Sequence, residues 1–474
     1  MTVHVLIVED DDDFVAEISA SITDVASAAQ ITVARGRERA CDLLDTEFFD
    51  FAILDLNIPT QENGLDAAPE HGKFVFHHAR LVAPGTKLFV LTGSPSDDFV
   101  ADMLRQKHDA DIWSEGAPIA TVEFLRKLDL VQAPAIIHKM LGAIAALSNI
   151  ELALVGVNLQ TEQDRLVRIL AKRFDAVRCE VSSIGSGKSG AVPLRLQLFD
   201  ANGMPIQQVV AKLAPHAKVQ DENARYDNHI VLLDAAATPR KLLMQEFGAR
   251  STAGLFYQLA DGYGASMFAV MAENDEQAAL AVTAASQLTA RWSQGNAQVR
   301  QPIATIRRCW VSDAKAAELA ELYGLGWLAA FEGTDIQTRW HCVHGDLHGE
   351  NILVSADASA VLIDFGDVGH SAASYDPVTL ELSAVLQNNP TQSADWPTVE
   401  QCKVWHDLDR YLEASPIPAF VRACRGWAGT SAAGQREVAA AAYCYLLRQL
   451  KYPDTDKPRT LALMEGARAL FEAT

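Results

Sequence analysis

The chain has 474 residues, enough for two or three domains that each bury a core. It is 49% hydrophobic and 21% charged with a formal net charge of −21, which argues against charge-driven binding to nucleic acid or to an acidic membrane surface. Its seven cysteines are scattered, with no C-x-x-C pair, which argues against a disulfide framework or a zinc site. Met1-Thr2-Val3-His4 has no basic run of the signal-peptide kind, and the most apolar stretch, Ile136 to Val157, is interrupted by Lys139, Ser148, Asn149 and Glu151. The expectation is a cytoplasmic protein with no nucleic-acid or membrane partner.

Three short apolar runs open the chain. His4 to Val8 ends in Glu9-Asp10, Phe51 to Leu54 ends in Asp55, and Leu88 to Leu91 ends in Thr92. Amphipathic segments such as Glu38 to Phe48 lie between them. Apolar strands alternating with helices predict a parallel, doubly wound sheet, and such sheets gather their functional groups at the carboxyl ends of the strands. With acids at two strand ends and a hydroxyl at the third, residues 1–125 resemble a response-regulator receiver domain, a five-stranded flavodoxin-like α/β fold. The resemblance implies that Glu9, Asp10 and Asp55 hold Mg²⁺, that Asp55 accepts a phosphoryl group from a histidine kinase or another donor, and that Thr92 is the switch residue. Pro59, four residues on, also matches the family pattern, and Gly64 comes close to the expected glycine. The family places a lysine after the fifth strand. That strand is expected at Ala110 to Trp113, followed by Ser114-Glu115-Gly116-Ala117-Pro118, and no lysine occurs between Lys107 and Lys127. On this reading the domain either accepts phosphate with weakened coupling or serves as a docking surface.

Residues 126–175 read as a helical connector. Pro134 starts a helix through Ala146, and Thr161 is expected to cap a second one carrying Leu166, Leu170 and Phe174 on one face. Glu151 to Leu159 is open between strand and helix. No helix-turn-helix is evident.

From 176 onward the pattern changes. Ile184-Gly185-Ser186-Gly187-Lys188-Ser189-Gly190-Ala191-Val192 is not a P-loop, because position 182 is serine and the following residues alternate as a strand would. It fits G-x-G-x-x-G-x-V, a glycine-rich hairpin that covers nucleotide phosphates, with Gly185, Gly187 and Gly190 as its glycines. The returning strand, Gln207 to Leu213, carries Val209-Val210-Ala211-Lys212, in which Lys212 is placed to reach the phosphates. Glu222 is the candidate to hold Lys212, with Asp227 as its alternative. Leu255 to Leu259 reads as a strand before a hinge between lobes at Ala260-Asp261-Gly262-Tyr263-Gly264.

His344-Gly345-Asp346-Leu347-His348-Gly349-Glu350-Asn351 precedes two apolar runs, Ile352 to Val354 and Val361 to Ile363, around the polar Ser355 to Ser359. That is a tight hairpin, and it brings Asp346 and Asn351 close to Asp364. Two carboxylates and an amide suit Mg²⁺ and leave one carboxylate to take a proton, as phosphoryl transfer requires. H-G-D-L-H-x-x-N-I-L followed by I-D-F-G resembles the aminoglycoside-phosphotransferase and choline-kinase-like branch of the protein-kinase-like fold. His348 stands where protein kinases carry lysine, and no A-P-E follows. The resemblance implies Asp346 as catalytic base, Asn351 and Asp364 as metal ligands, and Asp376 as a brace for the catalytic loop. The expected domain is two-lobed α+β at 176–474, with an N-lobe at 176–262 and a helical C-lobe beyond. The expected activity is ATP- and Mg²⁺-dependent transfer to a hydroxyl of an unread acceptor, with the receiver as a regulator. The alternative is a nucleotide-binding pseudokinase whose output is protein contact.

Overall fold

The computed structural model describes every residue except 94–98, 100–102, 104, 107, 185–192, 235–237, 260–261, 294–297, 391, 393 and 394. It divides into two compact units, Met1–Gln220 with Lys241–Gln258, and Asp221–Arg240 with Leu259–Thr474. Among the described residues no helix is long and apolar enough to cross a membrane.

The first unit begins with alternating strands and helices: β1 (His4–Val8), α1 (Asp12–Val25), β2 (Gln30–Ala34), α2 (Arg37–Thr46), β3 (Phe51–Leu54), α3 (Pro69–Val82) and β4 (Lys87–Thr92). A hairpin of β5 (Asp109–Ala110) and β6 (Ile119–Ala120) leads into β7 (Val122–Arg126). All five principal strands are parallel, in the order β2-β1-β3-β4-β7. This is the flavodoxin-like order, whose functional crevice lies outside the carboxyl ends of the strands. β1, β3 and β4 are buried almost throughout, as central strands covered on both faces must be. The fifth strand is therefore β7, not Ala110 to Trp113. Ile112 and Trp113 are apolar because they are buried in the core against Ile137, Met140 and Leu141.

Helix α4 (Ala133–Leu147) packs on α1 and completes this layer. The chain then enters a six-stranded sheet of β8 (Glu151–Val155), β9 (Arg178–Ser183), β10 (Leu194–Phe199), β11 (Pro205–Pro215), β12 (Arg240–Gln245) and β13 (Thr252–Gln258), ordered β12-β13-β11-β10-β9-β8. The segment left open at Glu151 is a strand, parallel to β9. Helix α5 (Thr161–Arg173) covers this sheet through Leu166, Val167 and Leu170. Its cap is Gln160, paired with Gln163 in a capping box, and Thr161 is the first helical residue.

The five- and six-stranded sheets share one unit because specific bonds join them. Arg165 of α5 is buried and bonds Asp50 through Nε (2.7 Å) and Nη2 (3.2 Å), and Thr2 O at 2.6 Å. The turn between β12 and β13 is stitched to the loop after α3, with Gly85 N donating to Arg250 O (2.7 Å) and Gly248 N to Gly85 O (2.8 Å). A side chain at Gly85 would meet Glu246 O and Arg250 O within 2.9 Å, so glycine permits this approach.

In the second unit, β14 (Ala265–Ser266) and helices α7 (Met267–Glu273) and α8 (Asp275–Leu288) follow the C-terminal part of α6 (His216–His229). The remaining strands are β15 (Gln298–Pro302), β16 (Asp335–Val343), β17 (Ile352–Val354), β18 (Ala360–Leu362) and β19 (Gly369–Ala372), with helices α9 (Ile303–Arg308), α10 (Asp313–Leu322) and α11 (Leu328–Glu332) among them. Helices α12 (Tyr375–Leu386), α13 (Val399–Lys403), α14 (Leu408–Tyr411), α15 (Pro418–Ser431), α16 (Gln435–Gln449) and α17 (Lys457–Glu472) close the chain. The β15-β16-β19 sheet adds strands to a segment expected to be mostly helical, interrupted by the β17–β18 hairpin. α12 is buried along its whole length and α16 almost so, which makes them the core of the unit.

Candidate active site

At the carboxyl ends of β1 and β3, Glu9, Asp10 and Asp55 place one carboxylate oxygen each within 4.8 Å of the others. Three hard oxygen donors this close fit a small divalent cation such as Mg²⁺. Lys127, the residue after β7, completes the cluster. Its Nζ bonds Glu9 Oε2 (2.8 Å) and Asp55 Oδ2 (2.9 Å) and lies 4.5 Å from the Phe14 ring centroid. The lysine expected to be missing is therefore present, displaced in sequence by the β5–β6 hairpin. Burial pushes the Glu9 pKa up to about 7, helped by the Asp55 charge and opposed by Lys127. Burial alone would lower the Lys127 pKa, but its bonds to Glu9 and Asp55 outweigh that and raise it. Asp55 is fixed by Leu56 N donating to its Oδ1 at 2.7 Å. Gly72 of α3 packs bare backbone against this loop, where a Cβ would fall 2.3 Å from Leu56 Cα. Thr92 is buried at the end of β4, in the same crevice.

The second cluster is built on the β17–β18 hairpin, whose register pairs Ile352 with Leu362. One step further, Ile363 N donates to Asn351 O at 3.0 Å. The ladder thus sets Asn351 opposite Ile363 and beside Asp364, which adopts a left-handed φ of 64°. Asn351 Nδ2 donates to Asp346 O at 2.9 Å, which leaves its carbonyl oxygen as the ligand-capable end. Buried Asp376 accepts from His344 N (2.7 Å) and Gly345 N (2.9 Å), the bracing contact expected of it. Burial pushes the Asp376 pKa up, against the lowering effect of the His344 ring and these two N–H bonds. His344 Nε2 lies 3.0 Å from Ile363 O; a carbonyl only accepts, so Nε2 carries the proton and His344 is a structural tie.

Two glycines are dictated by contact. At Gly345, with φ of 81°, a Cβ would meet Asp367 O at 2.4 Å and the Trp310 ring at 2.5 Å. At Gly349 it would enter the Phe268 ring at 2.2 Å.

Asp346 itself has cationic company. Arg448, near the end of α16, donates from Nη1 to Gly345 O (2.8 Å) and from Nη2 to Asp367 (2.7 Å), and Nη2 lies 3.4 Å from Asp346 Oδ1. His348 Nε2 is 3.7 Å from Asp346 Oδ2, and burial pushes the His348 pKa down toward the neutral form. Arg448 carries no local motif. Its one signal is an arginine at the end of the apolar run Val438 to Leu447.

The remaining site residues divide between the units. Lys212 is half-buried on β11, paired with Leu255 of β13. Glu222 is buried on the part of α6 that belongs to the second unit. That part of α6 packs on the segment after Asp364, with Tyr226 edge-on to Phe365 and Arg225 bonded to Val368 O. Gly185, Gly187 and Gly190 lie outside the described residues.

Residues 210–422 match the model of the phosphotransferase enzyme family. Among solved structures, the chain is similar to an aminoglycoside-3'-phosphotransferase of type VIII, at 18% identity over 62% of this chain and 99% of that one, with a TM-score of 0.36. It is also similar to aminoglycoside phosphotransferase APH(4)-Ia, at 12% identity over 65% and 97%, with a TM-score of 0.37. At the other end it is similar to a CheY-like receiver domain protein from Methanospirillum hungatei JF-1, at 18% identity over 30% and 98%, with a TM-score of 0.22. No curated protein matches. The chain joins a parallel five-stranded sheet of flavodoxin-like strand order to a segment that matches the phosphotransferase enzyme family. Arg448 lies beyond the matched segment.

Proposed function

We propose that this phosphotransferase moves the terminal phosphoryl group of ATP, with Mg²⁺, to an acceptor hydroxyl, and that its receiver domain regulates the transfer. The observation that carries the reading is the joint placement of Asp346, Asn351 and Asp364 by one hairpin and one interlocked loop. Asn351 Oδ1 and the Asp364 carboxylate would hold the metal, which when bound neutralises charge on the phosphate oxygens. Asp346 takes the proton of the acceptor hydroxyl and orients its oxygen for attack. Asp376 and Asn351 fix the backbone around that carboxylate, so that its position is set before the acceptor arrives. Lys212 on β11, with the glycines at 185, 187 and 190, would bind the phosphates. The acidic crevice with Lys127 supports Asp55 as a phosphoryl acceptor supplied by a histidine kinase or another phosphodonor.

The test is a screen of hydroxyl and amine acceptors, proteins included, with labelled ATP and Mg²⁺. Label transfer by the wild type, abolished in Asp346→Ala and Asp364→Ala variants that keep the native melting transition, is the expected result. Wild-type turnover in either variant would refute the mechanism. Nucleotide binding without transfer to any acceptor would favour a nucleotide-sensing scaffold. The regulatory part fails if Asp55→Asn and an acyl-phosphate donor both leave transfer unchanged.

A further inference from the structure

Between the β5–β6 hairpin and α4 lies a cavity of about 360 Å³, within the ~300–1,000 Å³ range of small-molecule sites. Ile112, Trp113, Ile119, Ile136 and Met140 give it an apolar wall. One polar group in that wall has no partner among the described residues. Trp113 is 1% exposed and its Nε1–H meets no acceptor among the described residues. An indole N–H only donates, so the group it lacks is an acceptor.

Charge at the rim points the same way. Three carboxylates line the cavity and each already has a cation: Glu123 holds Lys87 (3.0 Å), Asp111 holds Arg173 (3.2 Å), and Glu115 holds Lys172. Lys139 lines the same cavity, is exposed, and makes no ion pair among the described residues. An apolar pocket with one spare ammonium and one spare N–H donor is complementary to a monoanion on an apolar tail.

We propose that this cavity binds a small amphipathic carboxylate, with its aliphatic tail among Ile112, Ile136 and Met140 and its carboxylate on Trp113 Nε1–H and Lys139. The wall it would contact is also a joint of the unit. Ile112 O accepts from Gln245 Nε2 at the end of β12 (3.1 Å), and Ser114 Oγ donates to Ile169 O of α5 (2.9 Å). A ligand held there braces the hairpin between the two sheets, and its binding to the native state raises the melting temperature.

Calorimetric titration of the full chain with decanoate tests this. The expected result is a saturable one-site isotherm with decanoate and none with decylamine. Lys139→Glu changes an exposed residue and is expected to weaken binding by about 10-fold, as is Trp113→Phe, which keeps the ring but removes the donor. Ala135→Trp places bulk at the exposed mouth and is expected to abolish binding. The proposal is overturned if decanoate gives no saturable heat, if decylamine binds equally well, or if Lys139→Glu and Ala135→Trp both bind as the wild type does.

Discussion

Lys127 Nζ sits 2.9 Å from Asp55 Oδ2, with Glu9 Oε2 on its other side at 2.8 Å. One ammonium thus neutralises part of a pocket that holds three carboxylates. Replacing it with methionine leaves Glu9 and Asp55 facing each other without a counter-charge. Lys127→Met is expected to lose about 3 kcal/mol of stability in metal-free buffer. Phosphorylation of Asp55 from acetyl phosphate, followed by intact mass, is expected to slow about 100-fold because a positioned cation beside the reacting carboxylate is gone.

The same pocket sets a pH dependence. Glu9 titrates near 7 in the folded chain, against an ordinary value of 4.5. The folded state therefore binds more protons than the unfolded state between these values. A raised carboxylate makes stability fall as pH rises through that window, by about 3 kcal/mol for this shift. Urea unfolding in EDTA across the window should show that fall in the wild type, and the difference between wild type and Glu9→Gln should carry it.

Gly345→Ala is expected to damage catalysis more than folding. The left-handed φ costs about 1–2 kcal/mol. The clash with Asp367 O and Trp310 must also move the residue next to Asp346. A turnover loss of about 100-fold with nucleotide affinity retained is expected, since small misplacement of a catalytic group is expensive. Steady-state kinetics beside nucleotide titration separate the two effects.

Arg448→Lys keeps the charge and loses the fork. A lysine cannot bond Gly345 O and Asp367 together while facing Asp346. Turnover is expected to fall about 10-fold with the nucleotide KM unchanged. An unchanged kcat would show that the guanidinium does not position the base.

Arg165→Met breaks a buried two-pronged ion pair with Asp50. Removing one partner of such a pair costs about 3–5 kcal/mol. Thermal unfolding is expected to shift downward accordingly, and limited proteolysis is expected to cut near residues 148–160 before the rest of the unit.

The β17–β18 hairpin and the polar loop before it were legible because their pattern is local. His344 to Asp364 is one stretch in which a polar loop and two apolar runs define both the fold and the donor set. Lys127 was illegible for a physical reason. Ala110 to Trp113 has the apolar look of a strand, yet Ile112 and Trp113 are apolar because they fill the core against α4. The true fifth strand, Val122-Glu123-Phe124-Leu125-Arg126, is only half-buried and reads as less apolar. Arg448 lies far from Asp346 in sequence, and no local pattern announces a contact of that kind. The acidic trio Glu9, Asp10 and Asp55 needed only two strand ends, which hydrophobic runs mark well.

Helix α3 has a property that its burial alone does not convey. Near its start Gly72 rests on the peptide just after Asp55, with no side chain to yield. Its last turn leads to Gly85, which is hydrogen-bonded to the turn carrying Gly248 and Arg250. A 14-residue helix is a rod of about 21 Å. Between these two bare-backbone bearings, α3 is a strut that ties the Asp55 loop at one end to the β12–β13 turn at the other.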